Sequence, residues 1–161
     1  MIKLESLRAA IEAVAPVLAR NPDQLKMWVE KGKIVCRNGS SLAFEYRYTA
    51  SVVILNWTGH PDVLMLAINR WALTQQPDLL AAGRAESYSF DADVIDSQTI
   101  DLAFEIPLTE PVAVMDNGDG TFELMHLAEP VPMFADAQID PPPPPLTSIW
   151  YQGQQLIPPD V

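Results

Sequence analysis

Cysteine and histidine are scarce in this sequence, and their scarcity removes whole classes of chemistry. The 161 residues include one cysteine, Cys36, and two histidines, His60 and His126. A single cysteine excludes an internal disulfide and a cysteine-rich zinc site. The sequence also contains no phosphate-cradling glycine loop, nucleophile elbow or metalloprotease helix motif. These absences disfavour a classical metal site or a nucleophile–base cluster, and we expect neither a metal nor a cofactor.

Basic residues and long hydrophobic runs are also few. The sequence has 10 Lys and Arg against 21 Asp and Glu, which gives a formal net charge of −11. A chain this acidic is poorly suited to neutralising DNA phosphates. No apolar run approaches the ~20 residues of a membrane span, and charged residues interrupt the first turns, where a signal peptide is apolar. With 48% hydrophobic residues, we expect a folded, soluble domain.

Two stretches show the periodicity of amphipathic helices. Pro16 interrupts the first helix because proline lacks an N–H, so we expect a kink or an irregular last turn there. Asn21-Pro22-Asp23 then predicts a stop and a restart, with Asn21 as a cap. Gly59-His60-Pro61-Asp62 opens a second helix that ends at Pro77, and His60 is interpreted as its entry residue and not as a catalytic base. The apolar stripe of the first helix consists of Leu4, Leu7, Ile11, Val14 and Leu18.

Strand patterns begin after the first helix. Leu25–Glu30 and Lys33–Arg37 predict a short hairpin around Gly32, with Cys36 as a small core residue. Leu42–Leu55 first alternates between apolar and polar residues and then becomes solidly apolar, which predicts a strand covered on both faces in its second half. Its fourteen residues would span roughly 46 Å, so we expect its first half to project beyond its own sheet or to bend. A projecting strand offers an edge to a neighbour.

The second half of the sequence is dominated by hairpins. Tyr88–Val94 and Ile100–Ile106 predict a hairpin in which paired residue numbers sum to an even number, such as Val94 opposite Ile100, so that both apolar sets share a face. Val112–Met115 is predicted as a further strand that turns at Asp116–Gly120 into Thr121–Leu127. The turn superficially suggests a calcium loop, but a glycine occupies its third ligand position, which favours a plain turn.

The composition changes after Glu129, since nine of the 15 prolines lie beyond it. Pro141–Pro145 predicts a polyproline II rod about 15 Å long, and the residues around Gln152-Gly153 predict a small terminal hairpin. The predicted fold is therefore α+β, a largely antiparallel twisted sheet with two main helices packed on one face and a C-terminal β-ribbon after a proline-rich linker. The predicted boundaries are 1–128 for the core, 129–146 for the linker and 147–161 for the terminal arm.

Two groups of charged residues are candidate functional sites. Asp91, Asp93 and Asp101 share the polar side of the predicted hairpin, where they could act as paired acid/base carboxylates or form an acidic surface. No histidine accompanies them, which favours the surface. Glu45 and Arg47 share a strand face; they form either a solvated surface pair or, when desolvated between subunits, a pair that sets register.

Several short segments, taken in order, resemble the tail completion protein R family of temperate contractile-tailed phages. They are Ser6-Leu7-Arg8, Asn21-Pro22-Asp23, Leu42–Thr49, Gly59–Trp71, Gln76-Pro77-Asp78, Leu108-Thr109-Glu110 and the proline-rich segment before the terminal hairpin. The resemblance extends over nearly the whole chain, and Pro16 and the stretch Met133–Asp140 depart from it.

The resemblance implies a structural virion protein that is not an enzyme, assembled in the bacterial host cytoplasm, at the head-proximal end of the tail. Proteins with this task commonly act as tail terminators, in which a ring, usually a hexamer, caps the tail tube and makes it competent for head–tail joining. The implied partners are further copies of the chain, the tail tube protein, and sheath and neck or connector proteins. DNA would only pass through the ring, and no membrane is involved.

Exposure patterns, and not the family, supply the predicted contact positions. The acidic residues Asp91, Asp93 and Asp101 are predicted to face the lumen of the ring. The predicted subunit interface consists of Phe44, Glu45, Arg47, Tyr48, Trp150 and Tyr151.

Three other functions remain open from the sequence. The first is a transient tail-assembly factor that leaves no copy in the virion. The second is an enzyme that uses the three aspartates. The third is an interaction module that presents Pro141–Pro145 to an aromatic groove.

Overall fold

The computed structural model describes residues 1–36, 41–130 and 146–157, and these residues form an α+β fold. Five strands make an antiparallel sheet in the order β1-β2-β4-β3, with β5 paired to β4, and β6 and β7 form a separate ribbon. The fold class predicted from the sequence is confirmed. The elements are α1 (Ile2–Val14), α2 (Pro16–Arg20), β1 (Leu25–Cys36), β2 (Phe44–Trp57), α3 (Pro61–Gln75), β3 (Ser89–Val94), β4 (Ile100–Asp116), β5 (Phe122–His126), β6 (Ile149–Tyr151) and β7 (Gln154–Ile157).

Proline punctuates the first helical region. Helix α1 ends at Val14, Ala15 leaves the helical conformation, and Pro16 begins α2, since its missing N–H is not needed at a first helical position. Pro22 likewise begins a single 3-10 turn. The prediction that Asn21 caps this restart is wrong, because its side-chain amide donates to the Val17 carbonyl and so closes α2.

Helix α3 forms as its sequence predicts. Pro61 is its first residue, and His60 caps it by accepting a hydrogen bond at Nδ1 from the Asp62 N–H over 3.2 Å. The interpretation of His60 as a helix-entry residue is therefore confirmed. The buried residues of this helix are Val63, Leu64, Ala67, Ile68, Trp71 and Ala72.

The predicted hairpin around Gly32 is wrong, because both of its halves belong to the single strand β1. Glu30 pairs with Thr49 and Lys33 pairs with Arg47, so two residues of β1 face one residue of β2. This is a β-bulge, in which one extra residue is accommodated without a chain reversal. Lys31, which has a positive φ, is one of the two residues at the bulge.

The expectation that the first half of β2 projects beyond its sheet is also wrong. Phe44 pairs with Cys36 of β1 on one side and with Val112 of β4 on the other. Strand β2 is therefore paired on both sides from Phe44 to Ile54, so its first half offers no free edge. In its second half, only the face that carries Val52 and Ile54 is fully buried, while Val53 and Leu55 are half-buried.

Strand β4 contains Pro107 and Pro111 and joins two segments that the sequence predicted as separate strands. The Pro111 carbonyl accepts from the Leu127 N–H, which lies on the side of β4 away from β2. In a strand, the N and C=O of one residue point to the same side, and every second residue repeats this direction. Pro107 lies four residues before Pro111, so both prolines face away from β2, and their missing N–H groups cost no hydrogen bond to β2. The Thr109 N–H points the same way and donates to Gln76 Oε1 over 3.0 Å.

The hairpin of β3 and β4 has the predicted register, with Val94 opposite Ile100. The turn Asp116–Gly120 is a plain hairpin turn between β4 and β5, with positive φ at both of its glycines. Helices α1 and α3 pack on one face of the sheet, and the core lies between the two layers. Its largest fully buried side chains are Phe104, Leu7, Ile11, Leu18, Leu25, Ile54, Leu64, Ile68, Leu79, Leu102, Ile106 and Leu108.

Some expectations fall on other parts of the chain. The stretch Met133–Asp140 and the predicted rod Pro141–Pro145 lie outside the described residues. In the ranges that are described, no helix is long and apolar enough to span a membrane.

Candidate assembly surfaces

The sheet has one face under the helices and one face without them. On β2 the even-numbered side chains from Tyr48 to Ile54 point to the helices and are buried, while the odd-numbered ones point away. We call the second surface the helix-free face. Pairing extends this alternation to β3 and β4, so that Asp91, Asp93 and Asp101 share this face.

The three aspartates lie together on one face of the sheet, as the sequence predicts. Asp91 and Asp93 are exposed on β3, and Asp93 lies directly opposite Asp101. The Asp101 carboxylate accepts a hydrogen bond over 2.7 Å from the backbone N–H of Asn56, which has a positive φ where β2 shifts register. Asp101 therefore has a structural role in holding this irregularity, and the group forms an open acidic surface, to which Glu105 adds a further charge.

The ends of four strands extend beyond the helices. We call these residues the distal sheet: Lys33–Cys36, Phe44–Arg47, Pro111–Asp116 and Phe122–His126. On its helix side, Ile34 is 55% exposed and Leu124 is 63% exposed. Large apolar side chains left open at one end of a monomer are typical of an interaction surface.

The position of Cys36 follows from the same arrangement. The prediction that it is a core residue is wrong, since Cys36 is exposed. It follows the bulge of β1 and lies in the distal sheet, where the strand continues but the helices that would cover it do not.

Phe44, Glu45 and Arg47, which were predicted at a subunit interface, lie in the distal sheet. Glu45 and Arg47 form an ion pair on the helix-free face. Beside it is a pocket of about 490 Å³ whose lining includes Phe44, Pro111 and the apolar side chains of Val35, Ala113 and Leu127. On the helix side, Phe44 contacts the Tyr46 ring edge-on at 5.2 Å.

Tyr48 does not belong to this surface, which corrects its predicted place at an interface. It is 4% exposed, because the even-numbered side chains of β2 pass beneath the helices from this residue onward. Its hydroxyl donates to Glu110, and burial, followed by this contact, raises the pKa of the Tyr48 phenol.

Glu110 is the centre of a buried polar cluster that sequence reasoning missed. Its carboxylate accepts hydrogen bonds from the backbone N–H groups of Ile2 and Lys3 at 3.1 and 3.2 Å, at the N-terminus of α1. An anion is favourable there because the first N–H groups of a helix lack partners. The Oε2 atom of Glu110, which accepts from Ile2, also lies 3.2 Å from His126 Nδ1. The signal in the sequence was the segment Leu108-Thr109-Glu110, where a glutamate falls on the apolar side of an alternating strand.

Gln76 extends this cluster to the end of α3. Its amide nitrogen donates to Thr109 Oγ1 over 3.0 Å, and its oxygen accepts from Lys3 Nζ over 2.8 Å. Lys3 also forms an ion pair with Glu129. Two of the segments that carry the family resemblance, around Gln76 and around Glu110, therefore meet in one place that joins α1, α3 and β4.

The terminal ribbon of β6 and β7 lies against the helices. Gln152 and Gly153 both have positive φ, as a two-residue hairpin turn requires, so the predicted hairpin is confirmed. The Tyr151 ring lies 4.6 Å from the His60 ring at the start of α3, whereas Trp150 is 62% exposed.

Leu146 precedes the ribbon at a groove between α1 and α3. The groove has a volume of about 330 Å³ and is lined by Ala10 and Val14 of α1 and by Ala67 and Trp71 of α3. The segment 146–151 therefore contacts the helical layer at two points.

Metal-binding geometry is not found in the described ranges, where no three residues of His, Cys, Asp and Glu form a group that could hold an ion. The surfaces available are open sheet edges, an uncovered distal sheet and an acidic face. This combination defines a protein with surfaces suited to assembly.

Comparison with known proteins identifies the family. The family model described as P2 phage tail completion protein R (GpR) matches residues 1–130. The tail completion protein R of Escherichia phage P2 is 34% identical over 134 residues, which cover 82% of this chain and 86% of that protein. No solved structure matches the chain.

The chain belongs to the P2 phage tail completion protein R family. Its role is therefore structural, in the completion of a phage tail, and this implies a location with the virion tail. The family model ends before the proline-rich segment, so the resemblance expected over nearly the whole chain is supported by that model for 1–130.

Proposed function

We propose that this protein is a tail terminator, which forms a ring on the head-proximal end of the tail tube, stops tube growth and prepares the tail for head joining. Membership of the tail completion protein R family is the observation that carries the proposal. In this role the protein contacts further copies of itself, the tube protein on one side and neck or connector proteins on the other, with the sheath nearby.

The described surfaces support a role in assembly. A closed ring needs two different, complementary surfaces on each copy. The distal sheet, with Phe44, Glu45 and Arg47, is an uncovered surface whose apolar side chains suit contact with a neighbour or with the tube. Trp150 and Tyr151, on the terminal ribbon, form a second contact surface. Tyr48 is not part of either surface because it is buried.

The charge of the chain suits a channel for DNA. Each copy has a formal net charge of −11, and Asp91, Asp93 and Asp101 lie on the helix-free face. If this face lines the lumen, its negative potential repels DNA phosphates and lets the genome pass without binding. A ring reconstruction in which Lys and Arg dominate the lumen wall would overturn this part of the proposal.

Electron microscopy of tails assembled with and without the protein tests the function. Without a terminator, we expect tubes that grow beyond the normal length and lack a defined end, and added protein should restore the length. Tails of normal length that fail only to accept heads would overturn termination and favour a joining role. As a matched control, a preparation that lacks a head protein should still give tails of normal length.

Mass spectrometry of purified virions separates the terminator from a transient assembly factor. A terminator remains in the particle, so its peptides should be found in a fixed ratio to those of the tube protein. Absence of the protein from infectious particles, with overlong tubes in its absence, would mean that it acts only during assembly.

A further inference from the structure

The two outer strands of the four-stranded path, β1 and β3, each have one side that no strand of the described residues pairs with. Exposed edge strands of this kind are templates for pairing with another chain. Strand β3 is exposed along all six of its residues. Strand β1 is twice as long, and at its outer side the Arg8 guanidinium donates to the carbonyl of Leu25.

These two edges are complementary on both of their faces. On the helix-free face, β3 presents Asp91 and Asp93, and the same face of β1 before its bulge presents Lys26, Trp28 and Glu30. The helix side of β3 presents Phe90, which is 55% exposed, as well as Ala92 and Val94. The helix side of β1 presents the half-buried Met27 and Val29. Opposite charges would therefore meet on one face and apolar side chains on the other.

The registers within the sheet give this match a specific alignment. Lys26 pairs with Val53, Val53 with Ala103, and Ala103 with Asp91, so all four residues lie in one row across the sheet. The next row runs in the same way from Met27 to Phe90. If identical copies continue the sheet without a stagger, each row continues into the next copy.

We propose that β3 of one copy pairs antiparallel with β1 of the next copy, with Asp91 opposite Lys26 and Phe90 opposite Met27. This inference rests on the proposed ring and names the contact that closes it. The directions are compatible, because the path contains an even number of alternating strands, so β3 and the β1 that follows it run in opposite directions. Each copy uses two different edges, which makes the contact heterologous, as a ring requires.

The opposite arrangement, in which like edges meet, is unfavourable. Pairing of β3 with a second β3 would place the aspartates of two copies beside one another, and like charges opposite each other destabilise a sheet. Before its bulge at Lys31, β1 offers a regular edge from Leu25 to Glu30, and in this alignment Ser89–Ala92 of β3 lie opposite Trp28–Leu25. In this alignment Asp91 still lies on the helix-free face, so the contact is compatible with an acidic lumen.

A cysteine cross-link tests the contact directly. Within one copy, Lys26 and Asp91 are separated by three strand spacings, about 14 Å, which is too far for a disulfide. The variant Lys26→Cys/Asp91→Cys, made in a Cys36→Ser background, can therefore form this disulfide only between copies. We expect oxidation of purified protein at high concentration, and of assembled tails, to give a ladder of covalent multimers that ends at the ring size.

The outcomes of this experiment are distinct. The single variants Lys26→Cys and Asp91→Cys, in the same background, should give at most a dimer. A double variant that stops at a dimer indicates a symmetric contact and overturns the proposal, as does the absence of multimers from both purified protein and assembled tails. The control Lys33→Cys/Asp91→Cys lies out of register and should form no ladder.

A charge exchange provides a second test. Lys26→Glu and Asp91→Lys should each cause a loss of functional tail completion, because each places like charges in contact, and the double variant should recover it. Lys33→Glu makes the same change of charge on the same strand but out of register, so it should not restore function to Asp91→Lys. Failure of the double variant to recover, with all proteins folded, would contradict the register.

The two proposals can fail separately. A covalent ladder together with tails of normal length in the absence of the protein would leave the contact intact and overturn the terminator function. Overlong tubes in its absence, without any ladder, would support the terminator and overturn this contact.

Discussion

The hydroxyl of Tyr48 donates a hydrogen bond to the carboxylate of Glu110 beneath the helical layer. The two residues lie on neighbouring central strands, where Glu110 pairs with Tyr46, the residue two positions before Tyr48. Because the same carboxylate accepts from the first backbone N–H groups of α1, this contact ties the N-terminal helix to the middle of the sheet. Four predictions concern the stability of the chain around this core.

Replacement of Tyr48 by Phe should change how stability depends on alkaline pH. Burial and the contact with Glu110 raise the pKa of the Tyr48 phenol above its ordinary value of 10.0. Above about pH 10 the unfolded chain therefore loses this proton while the folded chain keeps it, so stability falls by about 1.4 kcal/mol per pH unit. Below pH 10 both states are protonated, and this phenol adds no pH dependence.

Denaturant unfolding between pH 8 and pH 11.5 measures the effect. Tyr48→Phe should be less stable by about 1 kcal/mol at neutral pH, through loss of the hydrogen bond, and should lose part of the alkaline slope. Burial also raises the pKa of Tyr88, so some slope should remain. Equal slopes in the two proteins would show that Tyr48 does not keep its proton in the folded state.

Glu110→Gln should destabilise the protein by about 2–4 kcal/mol. The substitution keeps the size of the side chain but removes the anion that faces the N-terminus of α1. The control is Glu123→Gln on β5, which removes an exposed carboxylate and should change stability by no more than about 0.5 kcal/mol. Unfolding free energies from urea titrations compare the two variants, and equal values would contradict a role for the buried carboxylate.

Gly59→Ala should destabilise the start of α3 by about 1–3 kcal/mol through overpacking. A Cβ at Gly59 would lie 2.5 Å from Cζ2 of the buried Trp57 ring. The matched control is Gly32→Ala, whose Cβ would meet Val29 Cγ1 at an ordinary 3.7 Å. Thermal melts of both variants test this, and a Gly59→Ala melting temperature at or above that of Gly32→Ala would contradict the predicted clash.

Removal of residues 141–161 should leave the core folded. Every member of the core cluster lies between Leu7 and Leu108, and the truncated chain retains Glu129, the partner of Lys3. It loses the contact of Tyr151 with His60 and the contribution of Leu146 to the helical groove. Amide NMR spectra should therefore change around α1 and α3 and remain similar elsewhere, whereas collapse of the whole spectrum would show that the ribbon is part of the core.

The local elements of the fold are encoded in short stretches of sequence. Helix α3 could be predicted because its period, its first proline and the cap at His60 are all encoded within one short segment. The register of β3 against β4 could be predicted because a close turn joins them and the alternation must match. The three aspartates could be placed on one face for the same reason.

What covers each surface depends on how distant elements pack together. Alternation shows that Phe44 and Tyr48 share a face, but not that the helices end between them, so one is at the distal sheet and the other is buried. In the same way, Pro107 breaks a strand or continues it depending on which side of β4 its missing N–H faces. Coverage and pairing depend on residues far away in the chain, and a local pattern contains no information about them.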